Sequence, residues 1–205
     1  MPSPTIAPHA LTSLTKVKAL LNISASTYDT LLSALVSEAT DLIEGLCGGR
    51  RFLRTTYTQE EYDVTGRKVF LKNRPITTIS AFQYRSGSLS SPTWTDCPAD
   101  SYLPDLNAGY IETFGSVPCG MRAVRVTYTA GYLIDFTDEW NTAVHTLPTD
   151  ITKVCTELAG AAFNRRQAAG ISSQGTEGQN VSFAEAAKPT EEQMAVITRY
   201  ANTWI

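Results

Sequence analysis

The chain has 205 residues, 42% of them apolar and 18% charged, with a formal net charge of −3 and a pI near 5.4. That composition allows a real hydrophobic core in one large domain or two small ones. It argues against a general nucleic-acid binder, because charges of both signs are spread evenly and no basic stripe stands out.

Residues 1–11 carry Pro2, Pro4 and Pro8 and no apolar run, which predicts a disordered or loosely docked arm rather than a secretory signal. Leu14, Val17, Leu20 and Leu21 recur at helical spacing and predict a helix near 12–22, with a break at 22–25. Ser26-x-x-Asp29 reads as a capping-box-like start for a second helix near 26–47. Its stripe is Tyr28, Leu31, Leu32, Leu35, Ala39, Leu42, Ile43 and Leu46, which places Leu35 and Leu42 in the core. Gly48 and Gly49 end it.

Residues 54–132 are rich in Thr, Tyr, Val and Ile and are cut by turn residues. Strands are expected at 55–64, 67–71, 76–84, 110–114 and 123–129. Thr65-Gly66 predicts a hairpin turn, and 86–88 and 106–109 read as loops. Val124, Val126 and Tyr128 alternate with Arg125 and Thr127, one face buried and one wet. A loop over 133–147 carries an acidic patch, Asp135, Asp138 and Glu139.

Pro148-Thr149-Asp150 is a helix-start signal. Ile151, Val154, Cys155, Leu158, Ala162 and Phe163 form the stripe of a helix near 149–168. Residues 170–189 are rich in Gly, Ser, Gln and Ala, with an apolar island at 181–183. Thr190-x-x-Gln193 is a capping box for a last helix near 190–204, whose apolar face is Met194, Ile197, Ala201 and Trp204. The order predicts an α+β fold, a small helical bundle with an inserted β-rich block at 54–132. The expected divisions are an arm at 1–11, a core at 12–169, and a flexible segment with a C-terminal helix at 170–205.

Common catalytic and metal-binding motifs are missing from this sequence, so no catalytic, cofactor or metal residues are expected. His9 and His145 are the two histidines, and neither sits in a ligand motif. Gly170-x4-Gly175 has Thr176 where a phosphate loop needs Lys, and it follows a helix rather than a strand. Glu60 and Glu61 point to opposite faces of a strand, so they form no local acid/base pair, and Asp63 shares a face with Glu61. Cys47, Cys97, Cys119 and Cys155 have no paired spacing and are expected as four free thiols. Arg50, Arg51 and Arg54, and Arg165 with Arg166, follow the ends of helices. They offset the helix dipole there or pair with acidic residues of a neighbouring subunit.

Several stretches together resemble the head-to-tail connector, or adaptor, proteins of tailed bacteriophages. They are LTKVKALLNI from Leu14, YDTLL from Tyr28, ATDLIEGLCGGRRF from Ala39, TYTQEEYD from Thr56 leading to LKNRPI from Leu71, VTYTAGY from Val126, and the helix from Pro148 to Arg166. The resemblance covers residues 12–205. It implies a structural virion protein made in the bacterial cytoplasm and placed in the neck. There a ring, commonly of twelve copies, docks under the portal, extends the DNA channel and receives the tail or a stopper protein. DNA would pass without sequence-specific binding, with no cofactor, no membrane and no catalytic residues. Within that picture Val181, Phe183, Met194, Ile197 and Trp204 are candidate portal-binding residues, and Arg50, Arg51, Arg54, Arg165 and Arg166 candidate subunit-interface residues. Deleting 190–205 should then leave the rest folded and block attachment to heads.

Three other readings fit the same composition. One is a tail-completion or tail-terminator ring protein. Another is a carbohydrate-active hydrolase using aromatics clustered on one β face, Tyr84, Trp94, Tyr102 and Tyr110. The third is a small DNA-binding packaging subunit, which would bind DNA in a salt-dependent way.

Overall fold

The computed structural model describes residues 7–88, 91–115, 117–167, 173–176, 179–182 and 189–201. Within them the chain forms two compact units. One is helical and runs to Gly49, then resumes at Ile134; the other, Arg50–Leu133, is built of strands. This is an α+β fold with a β-rich block inserted into a helical bundle.

In the helical unit, Ser13 caps α1 (Leu14–Leu21) by accepting from the Lys16 N–H, and Asn22, in the left-handed region at φ 54°, ends it. The arm expected over 1–11 is docked by its last residues. Ala10 and Leu11 are buried, the Leu11 N–H donates to Thr40 Oγ1 (3.2 Å), and the Thr12 and Thr156 hydroxyls lie 2.7 Å apart. The second helix, α2 (Asp29–Leu46), starts later than Ser26. Its first residue, Asp29, pairs with Lys18 at 2.7 Å, and Ser26 supplies only its carbonyl to the Asp29 N–H. Gly48 and Gly49 close this helix with positive φ, as their position predicted.

The core face of α2 differs from the expected one. Leu32, Val36, Ala39 and Ile43 are buried, whereas Leu35 is half-buried and Leu42 is 38% exposed. This helix is apolar around much of its circumference, and the packing of its neighbours, α3 (Thr149–Gln167) foremost, buries the Leu32–Ile43 side most fully. Leu42→Ala is therefore expected to cost under about 1 kcal/mol, against about 3 kcal/mol for Leu32→Ala, as read by chemical denaturation. Equal losses would reject this face.

The α3 stripe, Ile151, Val154, Cys155, Leu158 and Phe163, is buried as its spacing predicted, while Ala162 is half-buried. A final helix, α4 (Glu191–Tyr200), begins with the predicted capping box between Thr190 and Gln193. Among the described residues no helix is long and apolar enough to cross a membrane.

The strand unit holds β1 (Thr55–Val64), β2 (Lys68–Phe70), β3 (Ile76–Ser88), β4 (Ser91–Asp96), β5 (Tyr102–Asp105), β6 (Tyr110–Thr113) and β7 (Gly120–Ala130). They form two antiparallel sheets, in the orders β1-β7-β3-β4 and β2-β6-β5. Their core includes Val64, Val69, Leu71, Phe82, Ile111, Val124, Val126 and Tyr128, so β7 alternates as expected. A further hairpin pairs β8 (Ser173–Thr176) with β9 (Gln179–Ser182).

Both ends of the strand unit are tied at one place. Leu53 bridges Tyr132, the Arg54 N–H donates to the Tyr132 carbonyl (2.8 Å), and the Tyr132 N–H donates to the Phe52 carbonyl (2.7 Å). Gly131 lies in this stem at φ +104°, where an added Cβ would fall 2.7 Å from the carbonyl oxygens of both Phe52 and Leu53.

Candidate functional site

The carboxylates weighed for chemistry hold the strand unit together. Glu60 accepts hydrogen bonds from the hydroxyls of Tyr62 and Tyr128 (2.8 Å from the latter), and those hydroxyls lie 2.9 Å from each other. Burial first, and the neighbouring Glu60 carboxylate as well, push both phenols well above the usual tyrosine range. Asp63 accepts from the Arg122 N–H, and Glu61 faces the Arg122 side chain at 3.9 Å. These bonds make a satisfied polar network.

The aromatic residues that would suit a carbohydrate platform do not share a face. Tyr84 is opposite Thr95 and Arg85 is opposite Trp94, so Tyr84 and Trp94 project from opposite sides of the sheet. Tyr84 packs on the core, as does Tyr102, whose ring meets Phe82 at 4.9 Å, whereas Trp94 lies under Arg125 at 4.6 Å.

The expected interface arginines divide. Arg50 is 2% exposed within the strand unit. Its Nη2 donates to the Arg74 carbonyl and to Tyr132 Oη (3.4 Å), and its guanidinium lies over the Phe52 ring at 5.0 Å. A side chain held this way is not on a subunit surface. Arg51 is exposed and Arg54 half-buried. On α3, Arg165 is half-buried and its Nε donates to the Ala161 carbonyl (3.4 Å). Arg166 is exposed, over the rings of Tyr28 and Phe163.

The expected portal-binding residues divide as well. Phe183 and Trp204 lie outside the described residues. Val181 is placed on β9, opposite Gln174. Met194 is half-buried. Ile197, by contrast, is 1% exposed, because α4 packs on α3 and α2. Gln193 Nε2 donates to Glu157 (2.9 Å), Tyr200 Oη to Asp150 (2.7 Å), and the Cys47 thiol to the Ile197 carbonyl (3.6 Å). Ile197 is thus part of the subunit's own core.

Sequence reasoning passed over three features of the helical unit. His9, Asp41 and Glu44 bring ligand-type atoms within 4.8 Å of one another, with His9 Nε2 3.5 Å from Asp41 Oδ1. The i, i+3 spacing of Asp41 and Glu44 was readable; the approach of His9 was not. Second, the loop at 134–147 is fixed by its own contacts. The Asp135 N–H donates to His145 Nδ1 (3.2 Å), Phe136 packs on His145, and Lys16 meets Glu139 at 2.6 Å. Hydrogen bonds from the Thr137 hydroxyl and N–H hold the Asp135 carboxyl below the usual range. From this braced loop Trp140 projects with 97% of its surface exposed. Third, a groove of about 170 Å³ lies between α2 and α3, lined by Leu35, Ala39, Leu42, Leu158 and Ala162 with Glu38 and Arg165 at its charged edges.

The four cysteines are free; Cys47, Cys97 and Cys155 are buried and Cys119 is exposed. Burial pushes the Cys155 thiol up to about 12, and burial with Asp96 nearby pushes Cys97 up to about 11. Native alkylation is expected to label Cys119 alone, and denaturation without reductant to expose all four, as counted by mass spectrometry. A stable disulfide would overturn this. In the unfolded chain the Cys97 and Cys155 thiols lose their protons near 9.0, and in the folded chain only higher. Stability present below pH 9.0 should therefore fall as pH rises toward about 12, seen as a declining Tm.

The family model described as "Head completion protein" matches residues 10–202. The fold is similar to that of a chain in the neck of an empty GTA particle computed with C6 symmetry. The TM-score is 0.53 at 19% identity, covering 98% of this chain and 94% of that one. A chain in the virion of the native gene transfer agent (GTA) particle matches with the same values. A third, in the neck of the native GTA particle computed with C12 symmetry, matches with TM-score 0.51 and 17% identity over 96% of this chain and 95% of that one. A search of curated proteins found no match.

Proposed function

We propose, from the premise that the chain belongs to the head completion protein family, that it is a structural virion protein of the head-to-tail junction. It acts as a connector subunit in a ring beneath the portal, continues the DNA channel and presents the tail with a docking surface. The observation that carries this reading is the family match over residues 10–202, which takes in both units. Likeness of fold to neck chains along nearly the whole length supports it.

The role is structural rather than enzymatic, in keeping with carboxylates that are committed to the strand core. Its partners are the other copies of itself in a ring of twelve, the portal above, and a tail, stopper or tail-completion protein below. DNA passes without sequence-specific contact, which a net charge of −3 suits because 20 acidic residues outnumber the 17 basic ones that could hold phosphates. Arg51, Arg54, Arg165 and Arg166 remain for contacts between copies, and Met194 for the portal.

Gold-labelled antibody on purified virions, read by electron microscopy, tests the placement. Label at the neck is the expected result. Label confined to the tail, or absent from particles, would overturn it.

A further inference from the structure

We propose that Trp140 is the anchor by which one copy of this chain seats on the next, its indole filling the neighbour's groove between α2 and α3. The contact rests on the ring reading above and names the surfaces that close the ring.

Trp140 leaves 97% of its surface in water. Burying an aromatic of this kind removes on the order of 150–250 Å² from solvent, and Trp is among the residues most enriched at interface hot spots. The loop that carries it is already braced by Lys16–Glu139, Phe136–His145 and the hydrogen bonds of Asp135. An anchor held on an ordered loop loses little freedom when it docks.

The groove suits an indole in three ways. Leu35, Leu42 and Leu158 are apolar walls, and Ala39 and Ala162 keep the space between the helices open. A buried indole N–H needs an acceptor, and the exposed Glu38 carboxylate stands at the edge. Arg165 stands at the edge too, with a guanidinium free of ion pairs among the described residues. It can lie against the indole face and meet an acidic partner. That partner is Asp138, exposed two residues before Trp140; Glu139 is already engaged by Lys16.

The two patches share no residue, so each copy offers one anchor and one groove. Engaged one way round between successive copies, they give head-to-tail geometry, which closes into a ring where the rotation between copies closes. It also accounts for Leu35 and Leu42, which the fold of one copy leaves half-covered.

The full chain tests the contact. In a Cys119→Ser background, Thr142→Cys beside the anchor combined with Glu38→Cys at the groove edge keeps Trp140 and should give a ladder of disulfide-linked multimers on oxidation, and either cysteine alone should not. Sedimentation equilibrium of Trp140→Ala should show self-association weakened by about 30-fold or more, with unchanged circular dichroism. Asp138→Arg and Arg165→Asp should each weaken association, and their combination should restore it. Rings that persist in Trp140→Ala with no ladder in the double-cysteine variant would overturn the contact and leave the ring reading standing. A chain that stays monomeric at every concentration, and forms no ring in the neck, would overturn both.

Discussion

Gly131→Ala is expected to destabilise the strand unit by about 3–6 kcal/mol. Two costs add. The φ of +104° is one that residues with a Cβ rarely adopt, and the new methyl would sit 2.7 Å from two carbonyl oxygens and 2.8 Å from the Leu53 carbonyl carbon. None of these atoms is the end of a flexible side chain; all are backbone. Relief would require moving the Phe52–Leu53 segment, whose Phe52 carbonyl anchors the stem by accepting from the Tyr132 N–H. Denaturant unfolding followed by near-UV circular dichroism reads the effect on the tyrosine-rich core. A loss under about 1 kcal/mol would mean the stem relaxes freely, and the close approach would carry no weight.

Deleting 190–205 is expected to unfold the helical unit, not merely to uncouple it from a partner. The apolar face at Met194 and Ile197 reads in the sequence as a free arm. In the structure Ile197 is buried against α3 and α2, and Gln193 and Tyr200 bond to Glu157 and Asp150. Removing the helix uncovers Cys47 and the neighbouring apolar surface at once. The loss should exceed the 2–5 kcal/mol of a buried Ile→Ala change, a large share of the stability of a unit this size. Loss of far-UV helical signal with early melting is the expected readout. A truncated chain that keeps its Tm but fails to join heads would return α4 to the role of a partner arm.

Where the sequence carried one strong period, the fold was legible. The β7 alternation at Val124, Val126 and Tyr128, the α3 stripe, the Thr190–Gln193 capping box and the Gly48–Gly49 stop all stand where they were read. On α2 the stripe held at Leu32, Ala39 and Ile43 but not at Leu35 and Leu42, and the difference has a physical reason. Leucines at 31, 32, 35, 42 and 46 offer overlapping stripes about one residue apart, and only the packing of α1 and α3 selects one. Strands β4 and β5 were missed because SPTWTD and YLPD carry proline, aspartate and little alternation; they pair as edges of sheets already specified by their neighbours. Arg50 reads as a surface cation from its place beside Arg51. Only the fold shows a carbonyl and two rings enclosing it. Trp140 escaped notice because exposure is a property of a loop's final path, and no local pattern encodes that path.

The paired entrance and exit of the strand unit make it a cassette. The Leu53–Tyr132 bridge brings residues near its two ends side by side, so the chain enters and leaves the unit at one place. A short glycine linker from Gly49 to Ile134 would impose only a small closure cost, since that cost grows with the logarithm of loop length. Recombination could thus lengthen or shorten such a subunit in one step, trading whole modules while the helical bundle keeps its own reading frame and packing.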